Sequence, residues 1–315
     1  MNVSLDSIRE LQSQFPTLGL IGNTPIVELD VFQDEFPNVR LLAKVEGFNP
    51  GGSLKDRPVL FMMGGALSSG QLGNGQVVLD SSSGNAGIAY AMIGSILGVP
   101  VELVIPSNAS EERKKRIQAH GAKIHFTDGA LGYDEALLEV RRRYTENPDR
   151  YFFSDQYAND NNWWAHFQTT GREIVEQTQG QVTHFVAGVG TGGCITGTGK
   201  RLKKDIPGVE VHCIRPELFP GIEGLKPLGS PGDIVPEIFD ETLVDQYWDV
   251  CVEDAYDMCQ RLARRGLFVG QSSGAYLAGA YRVAKQAQEG VIVTVLNDIG
   301  ERYFSARLWD PDLLS

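Results

Sequence analysis

Short apolar runs alternate with stretches of helical period along most of this chain. "LLAKVE" is followed by a glycine-rich turn and "RPVLFMMGGALSSG", "QVVLD" by "GIAYAMIGSILG", "VELVIP" by "SEERKKRIQAHG", and "KIHFT" by "YDEALLEVRRRYTEN". Beyond residue 158 the rhythm resumes with "NWWAHFQTTGREIVEQT", "THFVAGV", "ITGTGKRLKKDI", "VEVHCI", "AYDMCQRLARRG", "SGAYLAGAYRVAKQAQ" and "VIVTVL". Repeated strand-helix alternation predicts parallel sheets covered by helices on both faces, an α/β fold. Residues 219–240, "FPGIEGLKPLGSPGDIVPEIFD", break the pattern with prolines and glycines and read as a long loop. A functional loop and a plain surface excursion both fit that segment.

With 315 residues the chain has room for two packed units. Its 42% apolar and 22% charged residues are ordinary for a globular protein. Asp and Glu outnumber Lys and Arg by 40 to 28, for a net charge of -12, which argues against nucleic acid and anionic lipid as partners. "MNVSLDSIRELQSQFP" lacks the basic and apolar segments of a leader, and no apolar run reaches membrane-spanning length, so a cytoplasmic location is expected. Cys194, Cys213, Cys251 and Cys259 have no C-x-x-C spacing, and His120, His125, His166, His184 and His212 form no i, i+4 pair. Neither disulfides nor a metal site is expected.

Ligands of parallel α/β sheets bind beyond the carboxyl ends of the strands, where turns meet helix N-termini. Four glycine- or serine-rich turns fall at such places: "NPGGSLKDRP", "SSSGNAG", "GVGTGGC" and "GQSSGA". In "GVGTGGC" the glycines 188, 190 and 193 form G-x-G-x-x-G, and Glu217 lies near the end of the next apolar run, as a ribose-binding acid does in a dinucleotide fold. A dinucleotide site needs one such turn, whereas four suit a small anionic ligand gripped from several sides. Lys55 stands just before a predicted helix, where the dipole disfavours a cation. A solvated charge is one reading; an amine of lowered pKa that forms a Schiff base is the other. Asp56 and Arg57 beside it read as a buried or capping pair.

The ordered set "IGNTPIV" (21–27), "NPGGSLKDRP" (49–58), "SSSGNAG" (81–87), "DQYANDNNWWAHFQTTGREI" (155–174), "GVGTGGCITG" (188–197), "GQSSGA" (270–275) and "GERYFS" (300–305) resembles the cysteine synthase and cystathionine β-synthase family, the fold-type II pyridoxal phosphate enzymes. Within it the chain is most similar to the cysteine synthase B branch. The resemblance implies two lobes, each a mostly parallel twisted sheet flanked by helices, with the cofactor in the cleft between them. Residues 1–47 and 159–315 would form a large cofactor-phosphate domain, and 48–158 a smaller substrate-loop domain carrying the Schiff-base lysine.

By the same resemblance Lys55 binds pyridoxal 5'-phosphate and shuttles the α-proton, and Asn85 bonds the cofactor's 3'-oxygen. Gly190, Thr191, Gly192, Gly193 and Cys194 receive the phosphate, and Ser272 faces the pyridine nitrogen. Ser82, Ser83, Asn85 and Ala86 make the substrate-carboxylate loop, with Gln156 facing them from the other lobe; a helix cap is the plain reading of Ser83. Lys226 is a further candidate for an anionic substrate group. The implied activity is β-replacement on O-acetylserine or O-phosphoserine through an aminoacrylate, with a sulfur nucleophile giving L-cysteine. Replacement by an amine or homocysteine, or a β-eliminating lyase, are the alternatives. A homodimer, and a sulfur-carrier protein or serine acetyltransferase as partner, are also implied.

Several positions depart from the family pattern. Ala86 and Ser82 stand where threonine is usual, and Cys194 replaces a threonine with a weakly donating thiol. Cys194 reads equally as a small packing residue. Ile299, where serine is common, reads as filling space.

Overall fold

The computed structural model describes residues 2–73, 75–82, 84–219, 221–228 and 235–310. In chain order these give α1 (Leu5–Gln14), β1 (Ile26–Leu29), β2 (Val39–Val45), α2 (Asp56–Ser69), β3 (Val77–Ser81), α3 (Asn85–Leu97), β4 (Val101–Pro106), α4 (Glu111–Ala119), β5 (Lys123–Thr127), α5 (Gly132–Glu146) and β6 (Tyr151–Phe153). The chain goes on through α6 (Asp160–Gln168), α7 (Thr170–Thr178), β7 (His184–Gly188), α8 (Gly193–Asp205), β8 (Glu210–Pro216), β9 (Gln246–Val250), α9 (Val252–Ala263), α10 (Gln271–Ala287) and β10 (Gly290–Leu296). Two compact units result, Met1–Ile21 with Asn49–Asn162 and Gly22–Phe48 with Trp163–Ser315.

The first unit is built on a parallel sheet of order β5-β4-β3-β6. Its centre is dry: Val78, Leu79, Leu103, Val104 and Ile105 are fully buried, as near-continuous apolar strands in a parallel sheet should be. The second unit has the order β1-β2-β10-β7-β8-β9, parallel throughout except for β1, which runs antiparallel to β2 at one edge. Helix α10 packs along β7 to β10, and α8 covers β7 and β8. Each of the four candidate turns therefore has a defined place. The serine turn follows β3, the glycine turn follows β7, and "NPGGSLKDRP" and "GQSSGA" lead into α2 and α10.

The seven strands expected from apolar runs are all present. Strands β1, β6 and β9 carry a weaker signal, since their burial is partial and their sequences "IVEL", "YFF" and "QYWDV" are short or mixed. "NWWAHFQTTGREIVEQT" forms two helices, broken at Thr169, whose backbone leaves the helical region (φ -120, ψ -77). The threonine side chain bonds back to Ala165 O at 2.6 Å, the local competition that bends helices at such residues. Residues 1–21 group with the first unit, where the sequence assigned them to the cofactor-phosphate domain. The cause is close packing of α1 on α2: a Cβ on Gly64 would fall 2.8 Å from Ile8 Cδ1, so the glycine lets the helices approach.

In the second unit the motif "IGNTPIV" serves a buried charge. Lys44 Nζ, in a fully buried side chain, meets Glu173 Oε2 at 2.7 Å, Thr24 O at 2.5 Å and Gln177 Oε1 at 2.8 Å, which uses its three donors. Glu173 also accepts from Asn23 N at 3.1 Å, and Asn23 takes a left-handed backbone (φ 48) to reach it. Among the described residues no helix is long and apolar enough to cross a membrane. Glu173→Ala should lower the unfolding free energy of the chain by about 3–5 kcal/mol, because it strands a buried ammonium. Urea denaturation monitored by circular dichroism measures this, and a loss below about 1 kcal/mol would contradict the assignment.

Candidate active site

In the first unit, the turn before α2 is closed by its own helix. Asp56, fully buried, accepts from Gly51 N at 2.5 Å, and Gly52 N donates to Asn49 O at 2.7 Å. A Cβ on Gly51 would lie 2.1 Å from Asp56 Oδ1, so only glycine permits this closure. Lys55 occupies the N-cap position of α2, partly exposed, and its N–H approaches Ser53 Oγ at 3.3 Å. Asp56 and Arg57 are both buried, and the bond to Gly51 gives Asp56 the task of shaping the turn that presents Lys55.

The serine turn begins where β3 ends. Ser81 and Ser82 are buried, Gly84 N meets Ser82 Oγ at 3.3 Å, and Asn85 opens α3 beyond an N-cap glycine that supplies no side-chain cap. Ala86 is buried in the first turn of α3. A Cβ on Gly87 would fall 2.3 Å from Ser82 O, so the helix start lies directly against the turn. Gln156 belongs to this same unit, which corrects its placement on the other lobe. Its Nε2 donates to Ser81 O at 3.0 Å and its own carbonyl accepts from Asn162 Nδ2 at 2.7 Å. Ser83 lies outside the described residues.

In the second unit the glycine turn opens α8. Gly192 sits at the N-cap with a left-handed backbone (φ 83) and brings no side-chain acceptor of its own; Thr191 Oγ1 lies 3.5 Å from Gly193 N. A Cβ on Gly190 would fall 2.5 Å from Gly224 O, and one on Gly192 2.7 Å from Phe239 Cβ. The turn is thus a backbone cradle, walled by the long loop and lined by first-turn N–H groups that the helix itself cannot satisfy. Thr191 and Cys194 are buried, and Cys194 is in no disulfide. Lys226, partly buried, is anchored beside the cradle through its N–H to Val189 O at 2.7 Å.

Helix α10 joins this turn to Ser272. Tyr276 OH donates to Gly188 O at 3.3 Å, and burial pushes its phenol pKa well above the usual range. Asn297, just past β10, donates from Nδ2 to Ser272 Oγ at 2.9 Å and from its backbone N to Ser273 Oγ at 2.8 Å. Ser272 Oγ accepts that amide, which leaves its own hydroxyl proton for a further acceptor. The sequence did not single out Tyr276, Asn297 or the Asp56–Gly51 contact. Polar residues at strand exits and helix starts were the available signal. Ile299 forms an isolated bridge with Val269 and its Cγ2 lies 2.9 Å from where a Cβ on Gly47 would sit, a space-filling role.

A histidine cluster lies at the opposite end of β7. His184 Nδ1 and His212 Nε2 are 3.0 Å apart, and Glu210 Oε2 is 3.7 Å and 3.6 Å from them. Strand pairing brings these residues together, which a search for i, i+4 spacing does not detect. The indole of Trp248 donates to His212 Nδ1 at 3.2 Å, so the His212 proton resides on Nε2 and points at His184 Nδ1. A metal on Nε2 would need that proton moved to the nitrogen already facing the indole N–H. Burial, followed by the His184 neighbour, pushes the His212 pKa down to about 4, so the pair stays neutral near pH 7.

Backbone donors at the "GVGTGGC" helix start suit an anion. Residues 17–298 match the model of the pyridoxal-phosphate dependent enzyme family. A cysteine synthase of Aquifex aeolicus is 51% identical over 300 residues, covering 93% of this chain and 91% of that protein. Cysteine synthase B of Escherichia coli is 38% identical, with 94% and 96% covered. The solved structure of an O-ureido-L-serine synthase superposes with a TM-score of 0.86 at 35% identity, over 94% of this chain and 95% of that one. The chain belongs to the pyridoxal-phosphate dependent enzymes, in the cysteine synthase and cystathionine β-synthase family.

Proposed function

We propose that this chain catalyses β-replacement on an activated L-serine, O-acetylserine or O-phosphoserine, with a sulfur nucleophile, giving L-cysteine. The observation that carries the reading is the pairing of a glycine-capped cradle with a neutral hydroxyl, Ser272, on the helix docked against it. Identity of 51% to a protein named cysteine synthase supports it. The first unit supplies the amine and the substrate turn, the second the phosphate cradle and the partner of the pyridine nitrogen. These units are the two domains of the enzyme, with the N-terminal 21 residues in the first.

Pyridoxal phosphate, bound through its aldehyde, withdraws electrons from the Cα of an amino acid and so lets a group on Cβ leave. The backbone N–H groups of Gly190, Thr191, Gly192 and Gly193 hold the phosphate, with Cys194 packing beneath. Asn85 offers its amide to the 3'-oxygen. Ser272 donates to the pyridine nitrogen without being able to protonate it, which keeps the ring a weak electron sink and favours loss of the β-group over transamination. Lys55 would hold the cofactor through its amine and, once released, would move the α-proton of the substrate. Ser82, Ser83, Asn85 and Ala86, with Gln156, receive the substrate carboxylate. Lys226 beside the cradle meets an anionic group on the substrate. A homodimer in the cytoplasm, served by a sulfur-carrier protein or a serine acetyltransferase, completes the reading.

A second reading, an amine or homocysteine in place of sulfide, has one observation on the side of homocysteine: the scaffold is shared, at 28% identity and a TM-score of 0.84, with an O-acetylserine-dependent cystathionine β-synthase of Helicobacter pylori. Mixing holoenzyme with O-acetylserine, O-phosphoserine or serine separates the electrophiles by the change in the visible spectrum. Recovery of that spectrum on adding sulfide, thiosulfate, homocysteine or an amine separates the nucleophiles. No response to any activated serine overturns the proposal.

Three variants test the assignments. Lys55→Ala should leave no cofactor mass fixed to the chain after borohydride reduction and lower kcat by roughly 10^2- to 10^4-fold. Gly192→Ala, strained at φ 83 and pressed on Phe239, should weaken pyridoxal phosphate binding by roughly tenfold or more, measured by absorbance titration. Lys226→Ala should raise KM for O-phosphoserine by roughly two- to fivefold and leave that for O-acetylserine unchanged.

A further inference from the structure

We propose that Asp80 is the positioning residue of the substrate turn, tying Ser81 and Gln156 into one rigid carboxylate receptor through the ionised state of its side chain. The proposal rests on the reading of Ser82 and Gln156 given above. Asp80 is 1% exposed, on the otherwise apolar centre strand β3, one residue before the turn. An aspartate there has no packing reason, since Val78 and Leu79 before it are fully buried and its neighbour across the sheet is Leu103. Its carboxylate collects two donors. Ser81 N donates to Oδ1 at 2.7 Å and Tyr90 OH donates to Oδ2 at 2.7 Å, while the nearby backbone N–H of Gln156 favours its charge.

Each donor belongs to a different part of the site. Ser81 begins the serine turn, and Tyr90 stands on α3, the helix that Asn85 opens. Gln156 follows Asp155, which takes a left-handed backbone (φ 46), a strained conformation that persists only where its surroundings enforce it. Gln156 Nε2 donates to Ser81 O, so Ser81 is held by Asp80 at its N–H and by Gln156 at its carbonyl.

This tie depends on the charge of Asp80. An ionised carboxylate accepts from both donors through charge-assisted bonds. A protonated one must donate, and the obvious acceptor is Tyr90, whose own proton then turns to Ser154 Oγ at 2.8 Å and that of Ser154 to Met62 Sδ at 3.8 Å. The titratable groups facing Asp80 are Tyr90 from α3 and Asp155 from the segment after β6, while Met62 of α2 and Leu103 of β4 are neutral. Burial, opposed by the Tyr90 bond and helped by the Asp155 charge, pushes the Asp80 pKa up to about 7. The folded chain thus binds the proton more tightly than the unfolded chain. The stability this adds is full below the ordinary carboxylate pKa and is lost as pH rises through 7, where the turn becomes rigid.

Asp80→Asn reproduces the neutral acid, with its amide donating toward Tyr90. The KM of the holoenzyme for O-acetylserine, as the ratio of variant to wild type, cancels ionisation of the substrate. That ratio should be near one at about pH 5.5 and rise to roughly tenfold at about pH 8.5, with kcat nearly unchanged. Tyr90→Phe removes a donor to the anion and should move the wild-type inflection up by about one pH unit. Amide hydrogen exchange should show protection lost at Ser81 and Gln156 in Asp80→Asn, and kept in β4. A ratio constant with pH, or an inflection unmoved in Tyr90→Phe, overturns the proposal. If the wild-type holoenzyme accepts no activated serine, the functional reading fails instead, and the exchange data alone then uphold or overturn the tie among the three residues.

Discussion

The glycine-capped N-terminus of α8 is the constraint on which the rest of the second unit depends. A helix start with left-handed Gly192 at its cap has Thr191 Oγ1, at a distant 3.5 Å from Gly193 N, as a side-chain acceptor and leaves first-turn N–H groups that the helix cannot satisfy. Such a start is stable when an anion completes it, and the surrounding architecture is arranged to keep it open. Gly190 and Gly192 carry no Cβ because Gly224 and Phe239 occupy that space, and Tyr276 fixes the strand exit from the other side. The long loop is therefore a wall of the cradle. Its proline- and glycine-rich composition is what lets backbone approach backbone at Gly190.

The first unit solves a different problem, which is to present flexible or charged side chains from rigid ground. Lys55 has a long stem, and the turn before α2 is closed from inside by Asp56 on Gly51, so that motion is confined to the side chain. The serine turn is short and offers few internal bonds, and its support comes from behind, through Asp80, Tyr90 and Gln156. Preorganised donors bind a carboxylate better than donors that must be ordered at the moment of binding. Both turns follow the rule that reactive groups sit on loops held by an unyielding scaffold.

Most of the frame was legible in the sequence because parallel strands announce themselves as apolar runs between amphipathic helices. The edge strands β1, β6 and β9 were less visible, since half-exposed strands lose that contrast. The Lys55, serine and glycine turns were legible through composition. Their supports were not, because Asp80, Asn297 and Tyr276 act across 10 to 88 positions of chain, through Tyr90, Ser272 and Gly188 respectively, and spacing along a sequence does not encode such pairings. The same limit hid the His184–His212 pair, which adjacent strands bring to 3.0 Å.

That pair and the glycine cradle lie at opposite ends of β7, His184 at its start and Gly188 at its finish. Their chemistry divides in the same way. At the start, one proton on His212 Nε2 joins Trp248, His212 and His184 Nδ1 into a hydrogen-bonded chain without any ligand. At the finish, the first-turn N–H groups cannot be satisfied from within the helix; Thr191 Oγ1 stands 3.5 Å from that of Gly193, and the glycine at the cap brings no acceptor of its own. Backbone donors gathered at a helix start suit an anion, whereas imidazoles already joined by their own hydrogen bonds are the poorer receptor. By that criterion the anion site belongs to the residues of "GVGTGGC", and the histidines, which look more like ligands by type, serve the fold.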